Sequence, residues 1–157
     1  MKSLWWIHII LGLLAIGFGA IVLRGVLRVV LSSNRVVRFL SYSLTASLVG
    51  LLPLNSQLSP TQGICMLTVY CSGVVVLAWR MFHLAGLWRS VFAFFIVAVL
   101  YLNVVSVSFL LFNHSPLLAM ASTESGLRFE ITQFSFATVF VVLGVLATRM
   151  CHAQRTR

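Results

Sequence analysis

Acidic residues are almost missing from this chain. The only two are Glu124 and Glu130, against eleven Lys and Arg. Proton-driven and ion-coupled carriers usually hold a charged side chain inside the membrane. Both acids here fall in or beside one connecting segment, which argues against a carboxylate relay. Charge of either sign is scarce, at 8% of residues, while apolar residues make up 61% and mean hydropathy is +1.07. So few charged groups cannot cover a water-exposed surface. Composition therefore predicts an integral membrane protein whose solvent is lipid, with almost nothing left for a separate extramembrane domain. Cysteine is also sparse. Cys65, Cys71 and Cys151 have neither zinc-site spacing nor the look of a disulfide framework. They read as two buried small hydrophobes and one juxtamembrane thiol, the latter a position open to palmitoylation. No metal site is expected. The net charge of +9 is scattered between apolar runs and forms no stripe, so nucleic acid is not an expected partner.

What the sequence does have is long apolar runs, five of them. A spanning helix needs about 20 mainly apolar residues. Segments 4–23, 91–112 and 131–148 meet this directly. The second and third reach it with flanks whose Arg38 and Arg80 can snorkel, giving spans 36–54 and 63–82. The expected fold is all-α, a single domain over residues 1–157 with five transmembrane helices. Three spans plus a re-entrant hairpin is the competing arrangement.

The arginines test this count independently. The first connection carries Arg24, Arg28, Arg35 and Arg38, and the second, "NSQLSPTQG", carries no charge. The third holds Arg80 and Arg89, the fourth Arg128 against Glu124 and Glu130, and the tail Arg149, Arg155 and Arg157. With the N-terminus outside and the C-terminus cytoplasmic, nine of the eleven basic residues face inward. An even number of spans breaks the alternation. A cleaved signal peptide over residues 1–23 would leave the four-arginine connection outside, and "GFGA" is no clean cleavage site. Trp5 and Trp6 suit an outer interfacial belt, and Trp79 and Trp88 an inner one. The stretch "RGVLRVVLSSNRVVR" reads as an amphipathic extension of the first span against anionic headgroups, broken at "SSN".

Within the spans the polar groups are uncharged. Asn103 and Ser106, three apart, share a helix face, and Asn103 is expected to face the interior and pair with Gln133 or a tyrosine hydroxyl. Such groups read first as interhelical hydrogen bonds that fix packing, and second as the lining of a small polar cavity. Small residues four apart (Ala15 and Gly19, Ser43 and Ser47, Ala46 and Gly50, Gly144 and Thr148) support close helix packing. The four histidines raise haem b as a cofactor. His8 and His114 would lie near the outer face, and His83 and His152 near the inner. However, His114 falls in a connection and His152 in the tail, so no cofactor is expected. The "HLAGLWR" segment, 83–89, reads as a cytoplasmic turn bent at Gly86, with His83 capping the end of the third span.

That turn, together with "YLNV" at 101–104, an early histidine (His8) and Thr45, Gly50 and nearby Pro53 in "TASLVGLLPL", resembles a group of small bacterial multi-pass membrane proteins. The likeness covers most of the chain. It departs in the outer loop, where "ASTESGLRF" lacks the group's prolines and has Glu124 in place of glutamine. The resemblance implies a bacterial inner (cytoplasmic) membrane location and no reaction. The expected function is thus non-enzymatic, structural or partner-interacting, with membrane lipid and a membrane-protein partner or second copy as contacts. The alternative is a small binder or conduit for quinone, haem or lipid, built from His8, His83, Tyr101, Asn103 and Gln133.

Overall fold

The computed structural model describes residues 2–28, 32–52, 60–114 and 126–153, with side chains over 5–28, 32–52, 60–112 and 133–149. All regular structure among these residues is helical. In chain order the helices are α1 (Lys2–Arg28), α2 (Ser33–Leu51), α3 (Pro60–Arg80), α4 (Trp88–His114) and α5 (Gly126–Ala153). Three stretches are long and apolar enough to cross a membrane: Trp5–Arg28, Pro60–Arg80 and Trp88–Phe112. In α5 the described apolar stretch, Gln133–Arg149, is shorter. The third segment, short in sequence, gains its length at the front. Pro60 opens α3 where a missing N–H costs nothing, and the helix runs 21 residues from there.

The arginine-rich stretch is divided differently from the sequence expectation. Helix α1 runs unbroken through Arg24 to Arg28. Ser32 is the N-cap residue of α2, in extended conformation, and its carbonyl accepts from the amides of Arg35 and Val36 at 3.1 and 3.2 Å. Serine at this position starts a helix as readily as it stops one. Arg35 and Arg38 therefore ride on the first turns of α2, and the "SSN" segment begins the second helix. Residues 29–31 lie outside the described ones.

The turn after α3 also departs from expectation. Gly86 has φ +55°, but His83 and Leu84 are already at φ +48° and +56°. The amides of Met81 and Phe82 donate to the Leu77 carbonyl, and that of Leu84 to Ala78 at 3.2 Å. This is a left-handed backbone cap, which takes up the orphan carbonyls at the helix end. The cap is made by main chain, and the His83 side chain is exposed. The rings of Phe82 and Trp88 stack 3.8 Å apart across the turn, tying α3 to α4, and the Arg80 guanidinium lies over Trp79.

Neighbouring helices run antiparallel. Position 19 of α1 meets Phe39 of α2 and Leu100 of α4, while position 8 meets Gly50 and Ser106 at the other end of the same two helices. α3 packs between α2 and α4, and α5 lies mainly against α4. Four helices thus close a ring, with the fifth outside it. The core of the ring includes Val36, Phe39, Val75, Ile96 and Val99, all fully buried. Gly19 permits a close approach to two helices at once. A Cβ there would sit 2.6 Å from Leu100 and 2.7 Å from Phe39. Ala15, Ser43, Ala46 and Ser47, from the small-residue pairs of α1 and α2, are buried as well. The outward faces are apolar, with Trp6, Leu13, Leu67, Phe134 and Val141 each more than half or close to half exposed. Faces of this kind on several sides of a soluble monomer would drive association; against acyl chains they cost nothing.

A candidate polar site between four helices

At the end of the ring where α1 begins and α2 finishes, polar side chains from the four helices converge. His8 on α1 and Ser106 on α4 are both buried, and Nε2 lies 2.9 Å from Oγ. Ser106 also hydrogen-bonds the thiol of Cys65 on α3, which is 1% exposed. From α2, Gly50 presents bare backbone to this group. A Cβ at Gly50 would meet Cys65 Sγ at 2.6 Å and His8 Nδ1 at 2.9 Å, so only glycine fits without displacement. The imidazole also faces the carbonyl of Ala46, one turn back on α2, but Nδ1 does not meet it in hydrogen-bonding geometry.

One turn deeper on α4, Asn103 donates from Nδ2 to Ser43 Oγ at 3.0 Å and to the Val99 carbonyl at 2.8 Å. The i, i+3 spacing does place Asn103 and Ser106 on one buried face. The partner, however, is Ser43 of α2, and not Gln133 or a tyrosine. Gln133 lies on α5, outside the ring, and its Nε2 is buried without a hydrogen-bond partner among the described residues. Tyr101 points the other way along α4, with its ring 5.4 Å from Phe140 of α5. It lines an apolar groove of about 150 Å³ between these two helices, with Phe94, Val97 and Gly144. His83 is at the opposite end of the bundle, in the α3–α4 turn. The structure brings together His8 and Asn103; Tyr101, Gln133 and His83 are elsewhere. The side chains of His114 and His152, which the haem reading would pair with His8 and His83, lie outside the described residues.

Ser43 belongs to the uncharged polar groups that the sequence places within the spans, whereas Cys65 reads there as a buried hydrophobe and Gly50 as a packing position. The available signal is the face of α3. Gln62, Cys65, Thr68 and Ser72 recur at steps of three and four and are all buried. That spacing puts a polar strip on one side of an otherwise apolar helix. Thr68 satisfies itself by donating to the Ile64 carbonyl at 2.8 Å. Two buried polar atoms of the ring have no such outlet: His8 Nδ1 and Ser72 Oγ make no hydrogen bond among the described residues. Leaving a buried polar atom unpaired costs about 1–3 kcal/mol, so each such atom in a folded protein calls for a reason.

The site has no charged side chain among these residues and no group of three His, Cys, Asp or Glu. It offers one imidazole nitrogen without a partner, one thiol and several hydroxyl and amide groups in an apolar frame. That set can hold a small ligand or a soft ion. No protein-family model, curated protein or solved structure matches the chain.

Proposed function

We propose that this chain is a five-span protein of the bacterial cytoplasmic membrane, N-terminus outside, that acts without catalysis by binding a small ligand in its four-helix polar site. The observation that carries the reading is the buried, unpartnered Nδ1 of His8 beside Cys65 and Ser106. If these residues served packing alone, a hydrophobic side chain at position 8 would pack as well and leave nothing unpaired. Asn103, whose amide donates to Ser43 and Val99, orders the helix faces that frame the site.

The alternation of arginines along antiparallel helices supports the topology. Arg28, Arg35, Arg80, Arg89 and Arg149 all belong to one end of the bundle, and the polar site to the other. With the basic end inside, the site lies in the outer half of the membrane. A second reading, docking of a membrane-protein partner or another copy, draws on α5. That helix packs mainly on α4 and leaves Phe134, Val141 and Val142 uncovered.

Native mass spectrometry of the chain extracted from its own membrane tests the binding reading. The expected result is a retained small species on the wild type, reduced several-fold in Ser106→Ala and in Asn103→Leu. Equal adducts on all three proteins, or none on any, would contradict it.

A further inference from the structure

The imidazole and the thiol present two metal-ligating atoms to the same point. Cys65 Sγ and His8 Nδ1 lie 2.6 and 2.9 Å from the position a Cβ would take on Gly50. Both donors therefore border the same glycine. Both residues are more than nine-tenths buried, and Nδ1 has no hydrogen-bond partner. We propose that Cys65 and His8 form a two-donor site for a soft monovalent cation, copper(I). This rests on the reading of the polar site as a binding centre and names its ligand.

Three physical arguments select the ion. Thiolate is a soft donor and favours copper(I) over hard cations. Zinc takes four ligands in a closed site, and no third His, Cys, Asp or Glu joins these two among the described residues. Charge decides between the remaining soft ions. Copper(I) displaces the thiol proton to solvent, so a neutral thiol becomes a neutral copper–thiolate pair beside a neutral imidazole. No oxidation state changes, and the interior holds no net charge before or after. A divalent ion at the same donors would leave one positive charge uncompensated in a medium where that is very costly.

Ser106 supplies the support that a metal-bound imidazole usually needs. In the tautomer that leaves Nδ1 a free lone pair, Nε2–H donates to Ser106 Oγ across 2.9 Å. The Ser106 hydroxyl is then free to donate to Cys65 Sγ. Ser106 is thus a positioning residue. It fixes which nitrogen is free and holds the sulfur beside it.

The test is an anaerobic copper(I) titration of the detergent-purified full chain against a chromophoric copper(I) chelator, in a Cys71→Ser, Cys151→Ser background so that Cys65 is the sole thiol. One copper(I) per chain is expected, with X-ray absorption showing one sulfur and one nitrogen donor. Cys65→Ser should abolish binding, His8→Leu should weaken it at least tenfold, and Ser106→Ala should weaken it about 10- to 100-fold. Each variant is compared only if it elutes as the parent does. Should Cys65→Ser fail that check, blocking Cys65 with an alkylating reagent in the folded parent should remove copper binding. Copper bound equally without Cys65, or zinc(II) bound as tightly as copper(I), overturns the proposal. A chain that binds no copper yet retains a native small molecule in a Ser106-dependent way overturns the metal assignment and leaves the binding reading standing. A chain that does neither overturns both.

Discussion

At position 50 a single hydrogen atom on glycine leaves the space that Cys65 and His8 occupy. Alanine there would bring a methyl group to 2.6 Å of Sγ and 2.9 Å of Nδ1, each well inside van der Waals contact. Neither neighbour is a long flexible side chain that can swing clear. Overpacking of a closed interior costs about 1–3 kcal/mol, so Gly50→Ala should lower the unfolding midpoint in detergent. Gly63→Ala, at an α3 position with open space around it, should not. Equal midpoints for the two variants would mean that α2 does not press against the His8–Cys65 pair. Part of this site is legible in sequence. The three-residue step from Asn103 to Ser106 and the early position of His8 mark a polar face and an unusual imidazole. Cys65 is not legible as a donor, because a thiol in an apolar run looks like any other small hydrophobe. What gives it a role is contact with residues 15 and 41 positions away on α2 and α4, and no local pattern encodes that.

Among the elements, the α3–α4 turn and the start of α2 carry the most information. Two non-glycine residues in succession, His83 and Leu84, hold the left-handed conformation. That conformation costs an L-residue roughly 1–2 kcal/mol. Leu84 offsets its share by packing on the core, whereas the His83 side chain is exposed and has no such return. His83→Gly should therefore raise the unfolding midpoint, by roughly 1 kcal/mol in stability. A lower midpoint would show that the imidazole holds the cap. Gly86 drew attention in the sequence because glycine is the residue expected at a bend. The cap falls earlier because the chain leaves α3 at Arg80, and the amides that close on its last carbonyls come from residues 81, 82 and 84. The same local logic explains Ser32. Composition shows a break between two apolar runs, but backbone geometry decides that the serine opens α2. The helices themselves were plain from the apolar runs, with ends extending three to five residues beyond several predicted bounds where polar flanks continue the hydrogen-bonded ladder. Their length as spans follows the same evidence, and α2 is not among the three long apolar ones.

For the whole molecule, inside a bilayer burial of apolar surface does not drive one helix onto another, because lipid is as apolar as a leucine. Shape and polar pairing must then supply the association. The ring of four helices has both: small residues at Ala15, Gly19, Ala46 and Gly50, and hydrogen bonds from Asn103 and His8 that join α4 to α2 and α1. The fifth helix lies outside that ring. Everything proposed for the molecule, from ligand access to the role of the arginines, depends on which bilayer face each end of the bundle meets. Paired topology reporters read this directly. One is fused after Arg157 and one inserted in the uncharged connection at 53–59. The prediction is a cytoplasmic signal from the first and an external signal from the second, in cells where the chain is membrane-bound. Both signals on the same face, or an external C-terminus, would contradict five crossings and move the His8–Cys65 site away from the outer leaflet.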